Sequence, residues 1–85
     1  MDQYTLYLEA LHPAKNIFRW YRIRAGQDLF GEWFVITQWG RKLRLGQQKE
    51  YVFDKKELAD KKVQSILSKR LNSKSRIGCN YRIIE

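Results

Sequence analysis

Apolar and polar residues alternate along most of the first two-thirds of the chain, a pattern typical of β-strands with one face buried. The alternation predicts strands over 4–11, 19–25 and 32–39, and a weaker fourth strand over 47–53. His12 and Pro13 are expected to end the first strand, because proline cannot donate a hydrogen bond to the sheet ladder.

The hydrophobic period changes after residue 53. Apolar residues then recur at helical spacing, at Leu58, Ala59, Val63, Ile66, Leu67 and Leu71. Asp54 is predicted to cap this helix, with Glu57 completing a capping box and pairing with Lys61 one turn later. A loop containing Gly78 leads to a short apolar strand over 81–84. The pattern predicts an α+β fold, an antiparallel sheet of four to five strands with one α-helix packed on one face.

The large apolar residues are assigned to the core of this sheet and helix. Trp20 and Trp33 are interpreted as core or sheet-face residues rather than as stacking platforms. The other core candidates are Leu6, Leu8, Tyr21, Ile23, Val35, Leu58, Val63, Ile66 and Leu67.

Charge narrows the choice of partner. The 85 residues suit one domain, over 1–85, and carry 17 Lys and Arg against nine Asp and Glu, a formal net charge of +8. Such an excess attracts polyanions. Nucleic acid, an anionic membrane or an acidic protein all meet that description. No apolar run approaches the roughly 20 residues that cross a bilayer, and the N-terminus lacks a signal pattern, so a cytoplasmic protein is expected.

The residues that support catalysis are scarce. His12 and Cys79 are the only histidine and cysteine, so they assemble neither a zinc site nor a Cys-His nucleophile pair in this sequence. The acidic residues are interspersed with lysines, and no glycine-rich phosphate loop follows a strand into a helix. The sequence therefore favours a binding protein with no catalytic residues, no metal, no cofactor and no small-molecule substrate.

One segment combines aromatic and basic residues at a strand end. Trp39 offers a flat apolar face, Gly40 allows the backbone to turn or to approach a ligand, and Arg41 carries a planar fork that fits phosphate. Lys42 and Arg44 follow at once. Single strands and nucleic-acid ends are bound by such surfaces. Trp39 also shares a face with Trp33 and Val35, so the residues by themselves favour stacking and core packing about equally.

These residues resemble the signature of the WGR domain, a family found in DNA-dependent poly(ADP-ribose) polymerases and as small stand-alone bacterial proteins. The segment from Asn16 through Arg19 to Ile23 is similar to the family's Asn-x-x-Arg-Phe-Tyr-x-Leu strand. Leu29-Phe30-Gly31-Glu32-Trp33 resembles the segment that precedes the motif in the stand-alone bacterial members. Gly46-Gln47 resembles the glycine-glutamine pair that follows the motif in the family. Helix positions Ala59, Val63 and Leu67 and a basic stretch closing on Tyr81 extend the resemblance over nearly the whole chain.

The resemblance implies an antiparallel sheet flanked by a helix, and a domain that binds DNA breaks. It implies that Trp39 packs on the terminal sugar and that Arg41 and Tyr81 lie near the 5′ phosphate, with Gly40, Asn16 and Arg19 as further site residues. The chain departs from the family after the motif, where Lys42 and Leu43 replace an apolar residue and a glycine. It departs again at Gly78-Cys79-Asn80-Tyr81, where the family has Gly-Tyr.

Three functions remain open from the sequence. The first is a nucleic-acid-binding module, with DNA as the expected partner and phosphate contacts from Lys42, Arg44, Lys69, Arg70, Lys74 and Arg76. The second is a protein-interaction adaptor that docks an acidic partner or a polymerase-like enzyme. The third is attachment to an anionic membrane through the basic helix over 55–71, which is disfavoured because the sheet needs the apolar stripe of that helix.

Overall fold

The computed structural model describes residues 3–84 and contains one antiparallel sheet with helices on one side. Strands β1 (Tyr4–His12), β2 (Ile17–Gln27), β3 (Trp33–Arg41) and β4 (Gln47–Phe53) are followed by helix α1 (Lys56–Leu71). A one-turn helix α2 (Lys74–Ile77) and strand β5 (Arg82–Ile84) complete the fold, and a 3₁₀ turn (Pro13–Lys15) joins β1 to β2. The strand order β4-β3-β2-β1-β5 places the last strand against the first.

Strand register assigns every alternate residue to one of two faces. Leu8 pairs with Tyr21, and Tyr21 pairs with Trp39, so these three side chains share the face that we call inner. The predicted alternation is confirmed, and the α+β architecture with it. Strands β2 and β3 run further than the sequence predicted, and β3 continues through Gly40 to Arg41. The buried apolar residues on the inner face and on α1 are Leu8, Ala10, Ile17, Tyr21, Ile23, Ala25, Val35, Ala59, Val63, Ile66 and Tyr81.

Helix α1 lies across the inner face of β2, β3 and β4. Ala59, Val63 and Ile66 are buried there, at the spacing that keeps one stripe of a helix against a flat surface. Leu58 is 43% exposed, so its assignment to the core was wrong. Its neighbour Ala59 faces the sheet, and adjacent helix positions point about 100° apart.

The start of α1 also differs from the prediction. The N-cap residue is Lys55, with extended backbone angles and no side-chain capping hydrogen bond. Asp54 therefore stands one position too early for its carboxylate to cap the helix, and the predicted capping box is wrong. The ion pair on this turn joins Lys56 to Asp60 at 4.0 Å, and no ion pair between Glu57 and Lys61 occurs among residues 3–84.

The segment after α1 is more ordered than the predicted loop. Ser73 is buried, and its Oγ lies 2.9 Å from the carbonyl oxygen of Arg70 and 2.8 Å from that of Cys79. The backbone N–H of Tyr81 donates to the same Arg70 carbonyl at 3.0 Å. These bonds fold the chain back through α2, so that Tyr81 lies beside the last turn of α1. Within the described residues, no helix is long and apolar enough to span a bilayer.

Candidate nucleic-acid interface

A cleft of about 410 Å³ opens on the inner face beside the last turn of α1. Two neighbouring strands, the end of the helix and the segment after α2 each contribute side chains to it. Its lining residues are Arg19, Tyr21, Trp39, Gly40, Arg41, Arg70 and Tyr81. The structure thus brings together six of the residues that the sequence nominated: Arg19, Trp39, Gly40, Arg41, Arg70 and Tyr81.

The register of β2 against β3 explains the arrangement. Arg19 lies opposite Arg41, and Tyr21 lies opposite Trp39, two residues further along the same face. Side chains at opposite and diagonal positions of an antiparallel pair are close enough to form one surface. A basic pair therefore stands next to an aromatic pair at the end of the two strands.

The aromatic side chains form a continuous wall. The rings of Tyr21 and Trp39 stack with their centroids 5.9 Å apart and their planes inclined by 16°. Tyr81 meets Tyr21 edge-on, with the ring centroids 6.1 Å apart. Trp39 is half-buried and packs on the core cluster while it lines the cleft. Core packing of Trp39 is therefore confirmed in part, and stacking on a ligand stays a prediction.

Three guanidinium groups give the cleft its charge. The Arg70 guanidinium carbon lies 4.4 Å from the centre of the Tyr21 ring, and its buried Nε has no hydrogen-bond partner among the described residues. Arg41 donates to Asn16 Oδ1 at 2.9 Å, and its guanidinium carbon lies 5.4 Å from the centre of the Phe18 ring. No carboxylate lines the cleft within residues 3–84. Arg19, whose side chain is exposed, is the third cation, and positive charges beside a low-dielectric wall attract anions.

Tyr81 remains a hydrogen-bond donor in this setting. Burial raises the pKa of its phenol, while the positive charges of Arg70 and Arg19 act in the lowering direction without reversing the shift. Tyr81 is therefore protonated at neutral pH, and its O–H can donate to an anionic oxygen placed between the arginines.

Gly40 is required by packing rather than by a turn. A Cβ at this position would approach Gly46 Cα to 2.8 Å, because the backbone of the next loop crosses here. The Trp20 ring covers both glycines on the outer face, and its indole N–H donates to the Arg41 carbonyl at 3.1 Å. Trp20 is thus a sheet-face residue, as predicted, and it supports the backbone of the motif from behind.

Several nominated residues lie outside the cleft. Lys42 points to the outer face, where its ammonium pairs with Glu9 at 3.0 Å. Arg44 is exposed in the loop after β3, and Asn16 contributes by holding Arg41. The predicted phosphate contacts Lys69, Lys74 and Arg76 are exposed, and they do not line the cleft either.

Sequence reasoning missed one lining residue and left another undistinguished. Tyr21 was assigned only to the core, and Arg70 was one of six proposed phosphate contacts, of which it alone lines the cleft. The signal for Tyr21 was its place on the same strand face as Arg19, two residues away. The signal for Arg70 lies in tertiary structure alone, because only the docking of α1 brings its last turn to Trp39.

Comparison with known proteins assigns the chain to a family. The family model for the WGR domain matches residues 4–78, which is most of the chain. An uncharacterized protein, y4dW of Sinorhizobium fredii (strain NBRC 101917 / NGR234), is 35% identical over 54 residues. That match covers 64% of this chain and 26% of the relative, so the chain corresponds to about a quarter of the relative's length. The extent of the family match shows that this chain belongs to the WGR domain family, a family of nucleic-acid-binding modules.

Proposed function

We propose that the chain is a DNA-end-binding module that grips a terminal nucleotide and its 5′ phosphate in the cleft between β2, β3 and the end of α1. The observation that carries the proposal is the convergence of Arg19, Arg41 and Arg70 on one aromatic wall, with no carboxylate among the described lining residues. The module binds and performs no covalent chemistry.

The cleft offers two kinds of contact to a nucleotide, an apolar one for the sugar or base and a charged one for the phosphate. The exposed part of Trp39 offers an apolar face to a sugar or base, an interaction that contributes roughly 1–3 kcal/mol per nucleotide. The guanidinium groups of Arg41 and Arg19 lie at the same strand end and present paired N–H donors to phosphate. A terminal phosphate carries more charge and more free oxygens than an internal one, which favours ends over continuous duplex.

Arg70 and Tyr81 close the other side of the site. The unpartnered Nε–H of Arg70 is a donor that the protein leaves unsatisfied among its described residues, and the protonated Tyr81 phenol is a second donor beside it. The Nε of Arg70 is itself buried, so an anion in the cleft would be bound by the terminal nitrogens of this guanidinium together with the Tyr81 O–H.

The test is a titration of two labelled DNA duplexes of the same sequence. One has blunt ends with 5′ phosphates, and the other is closed by hairpins at both ends. The proposal expects the open duplex to bind at least about tenfold more tightly at physiological salt, a difference of about 1.4 kcal/mol. Equal binding with a steep salt dependence would reduce the interaction to general attraction between a basic protein and DNA.

Variants distinguish binding by the cleft from general attraction between DNA and the net positive charge of the protein. Arg41→Ala and Trp39→Ala are expected to remove the preference for the open duplex. Arg24→Ala makes the same charge change on the exposed outer face of β2 and serves as the matched control. If Arg24→Ala and Arg41→Ala weaken binding equally, the cleft is not the site.

A protein-interaction adaptor is the second candidate, and a groove on the outer face favours it. This groove of about 310 Å³ is lined in part by Leu29, Phe34, Ile36 and Val52, next to the exposed Phe30. A partner that remains bound after nuclease treatment, and is released by Phe30→Ser but not by Arg41→Ala, would support the adaptor.

A further inference from the structure

The loop between β3 and β4, residues 42–46, presents two leucines to solvent directly beside the cleft. Leu43 is 98% exposed and Leu45 is 102% exposed, which is full exposure for both side chains. The loop follows Arg41 and returns past Gly40, and both of these residues line the cleft. Two fully exposed leucines within three residues form an apolar tip, which an anion-binding site does not by itself require.

The base of this loop is fixed on both sides. Lys42 N–H donates to the Phe18 carbonyl at 2.8 Å, and Arg44 N–H donates to the Arg41 carbonyl at 3.1 Å. On the return side, Gly46 packs so closely on the Trp39 carbonyl that a Cβ would lie 2.0 Å from its oxygen. The leucines therefore extend from an anchored turn.

The backbone of the tip carries strain. Leu43 has a φ of +64°, in the left-handed region that residues with a Cβ adopt at a cost of about 1–2 kcal/mol. Local strain of this kind persists where the surrounding structure imposes it, and it is often found at binding sites. Here it places an apolar side chain at a turn position that glycine or asparagine occupies more easily.

The charge of the loop indicates what the leucines meet. Arg41, Lys42 and Arg44 flank them in sequence, and positions 41–47 contain no acidic residue. Lys42 pairs with Glu9 on the outer face, which leaves Arg41 and Arg44 as the cations without a carboxylate partner among the described residues. An occupant that is apolar on one surface and densely anionic on another fits this arrangement. The exposed end of a base stack, bounded by phosphates, has both properties, and apolar side chains are known to wedge between bases.

We propose that Leu43 and Leu45 act as a wedge that packs against the terminal base pair of the bound DNA and unstacks it. This inference rests on the proposed function, since the cleft must first hold the end. The wedge acts by noncovalent insertion, and the phosphate contacts of the cleft hold the strand while the terminal base leaves the stack.

The test uses a blunt duplex with 5′ phosphates and 2-aminopurine in the terminal base pair, whose fluorescence rises when stacking is lost. Saturating protein is expected to raise the emission by roughly threefold. A second duplex with a mismatched, splayed terminal pair is expected to bind at least about tenfold more tightly than the paired one. Unstacking costs a few kcal/mol, which the splayed end does not have to meet again on binding, and tenfold corresponds to about 1.4 kcal/mol.

The double variant Leu43→Gly with Leu45→Ser removes the side chains and retains a residue suited to the left-handed backbone. It is expected to bind the duplex end while losing both the rise in fluorescence and the preference for the splayed end. Leu29→Ser with Phe30→Ser removes exposed apolar side chains from the β2–β3 turn, at the other end of β3 from the cleft, and is expected to match the parent protein in end binding, in fluorescence and in preference for the splayed end.

The outcomes separate the two proposals. Binding of the duplex end by the parent protein without a change in fluorescence overturns the wedge and leaves the cleft intact. A rise in fluorescence that persists in the Leu43/Leu45 variant also overturns the wedge, because another group then unstacks the base. Absence of end binding by the parent protein overturns the proposed function and the wedge with it. Binding to anionic phosphatidylserine vesicles that depends on the two leucines would then identify the tip as a membrane contact.

Discussion

Arg41 and Asn16 are joined by two contacts that link the cleft to the turn between β1 and β2. The Arg41 guanidinium donates to the Asn16 side-chain oxygen at 2.9 Å and reaches the Asn16 backbone carbonyl at 3.4 Å. Asn16 itself has a left-handed φ of +57°, and its backbone N–H donates to the Pro13 carbonyl. A residue 25 positions away therefore orients the guanidinium of the motif.

The first prediction concerns this orientation. Asn16→Gly preserves the left-handed backbone and removes the amide that holds Arg41, so DNA-end affinity is expected to fall roughly three- to tenfold, the effect of one hydrogen bond. Fluorescence anisotropy with the open duplex measures it. The free energy of unfolding of Asn16→Gly is expected to lie within about 1 kcal/mol of that of the parent protein. A fall as large as that of Arg41→Ala would contradict a purely positioning role.

The second prediction concerns the close packing behind the motif. Gly46→Ala places a Cβ 2.0 Å from the Trp39 carbonyl oxygen and 2.7 Å from the Trp20 ring, and both neighbours are held in place. The free energy of unfolding is expected to fall by about 2–4 kcal/mol, in the range of severe overpacking. Urea denaturation measures it. Leu45→Ala, at the exposed neighbouring position, serves as the control and is expected to change stability by less than about 0.5 kcal/mol.

The third prediction concerns the strained leucine. Leu43→Gly is expected to raise the free energy of unfolding by about 0.5–1 kcal/mol, because relief of the left-handed strain exceeds the entropic cost of a glycine in the unfolded chain. Leu43→Ala keeps the Cβ and the strain, and it is expected to match the parent protein. Equal stability of the glycine and alanine variants in urea would show that this backbone conformation costs little.

The fourth prediction concerns pH. Burial raises the pKa of Tyr81 above its unfolded value, so the folded state favours the neutral phenol. Its contribution to stability is complete below about pH 9 and is lost as pH rises from the unfolded pKa near 10 through the folded one. Denaturation series between pH 7 and 11 are expected to show a smaller alkaline loss in Tyr81→Phe than in the parent protein. Tyr4 also has a raised pKa, so the loss is reduced rather than abolished. Identical alkaline profiles would show that Tyr81 is not the group responsible.

Local periodicity was sufficient for most of the fold. Period-two alternation located β1 to β4, and a change to helical spacing located α1, because these patterns reflect which side of an element is buried. This reasoning was wrong at the start of helix α1 and at the edge of its apolar stripe. Asp54 has the chemistry of a cap, but α1 begins two residues later. Leu58 is apolar, yet it is exposed because its neighbour Ala59 faces the sheet and adjacent helix positions point about 100° apart.

The candidate site shows the same division between local and long-range information. Trp39, Gly40 and Arg41 were identifiable from the sequence because they are consecutive and their chemistry is distinctive. The pairing of Arg19 with Arg41 depends on the register of β2 against β3, which the buried face of each strand and the geometry of the connecting turn determine together. Arg70 reaches the cleft through the docking of α1, and Tyr81 reaches it through the buried Ser73 and the helix α2. No local sequence pattern predicts either arrangement.

By itself, the sequence determined the α+β class, the basic character of the surface and the aromatic-basic motif, since each of these is a property of composition or of near neighbours. Only the tertiary structure decided which cations face the aromatic wall. Lys42 and Arg41 are adjacent in the chain, but Lys42 pairs with Glu9 on the outer face while Arg41 lines the cleft. Which charges converge on a site is thus determined by strand register and helix docking, long-range contacts that form only when the whole core is assembled.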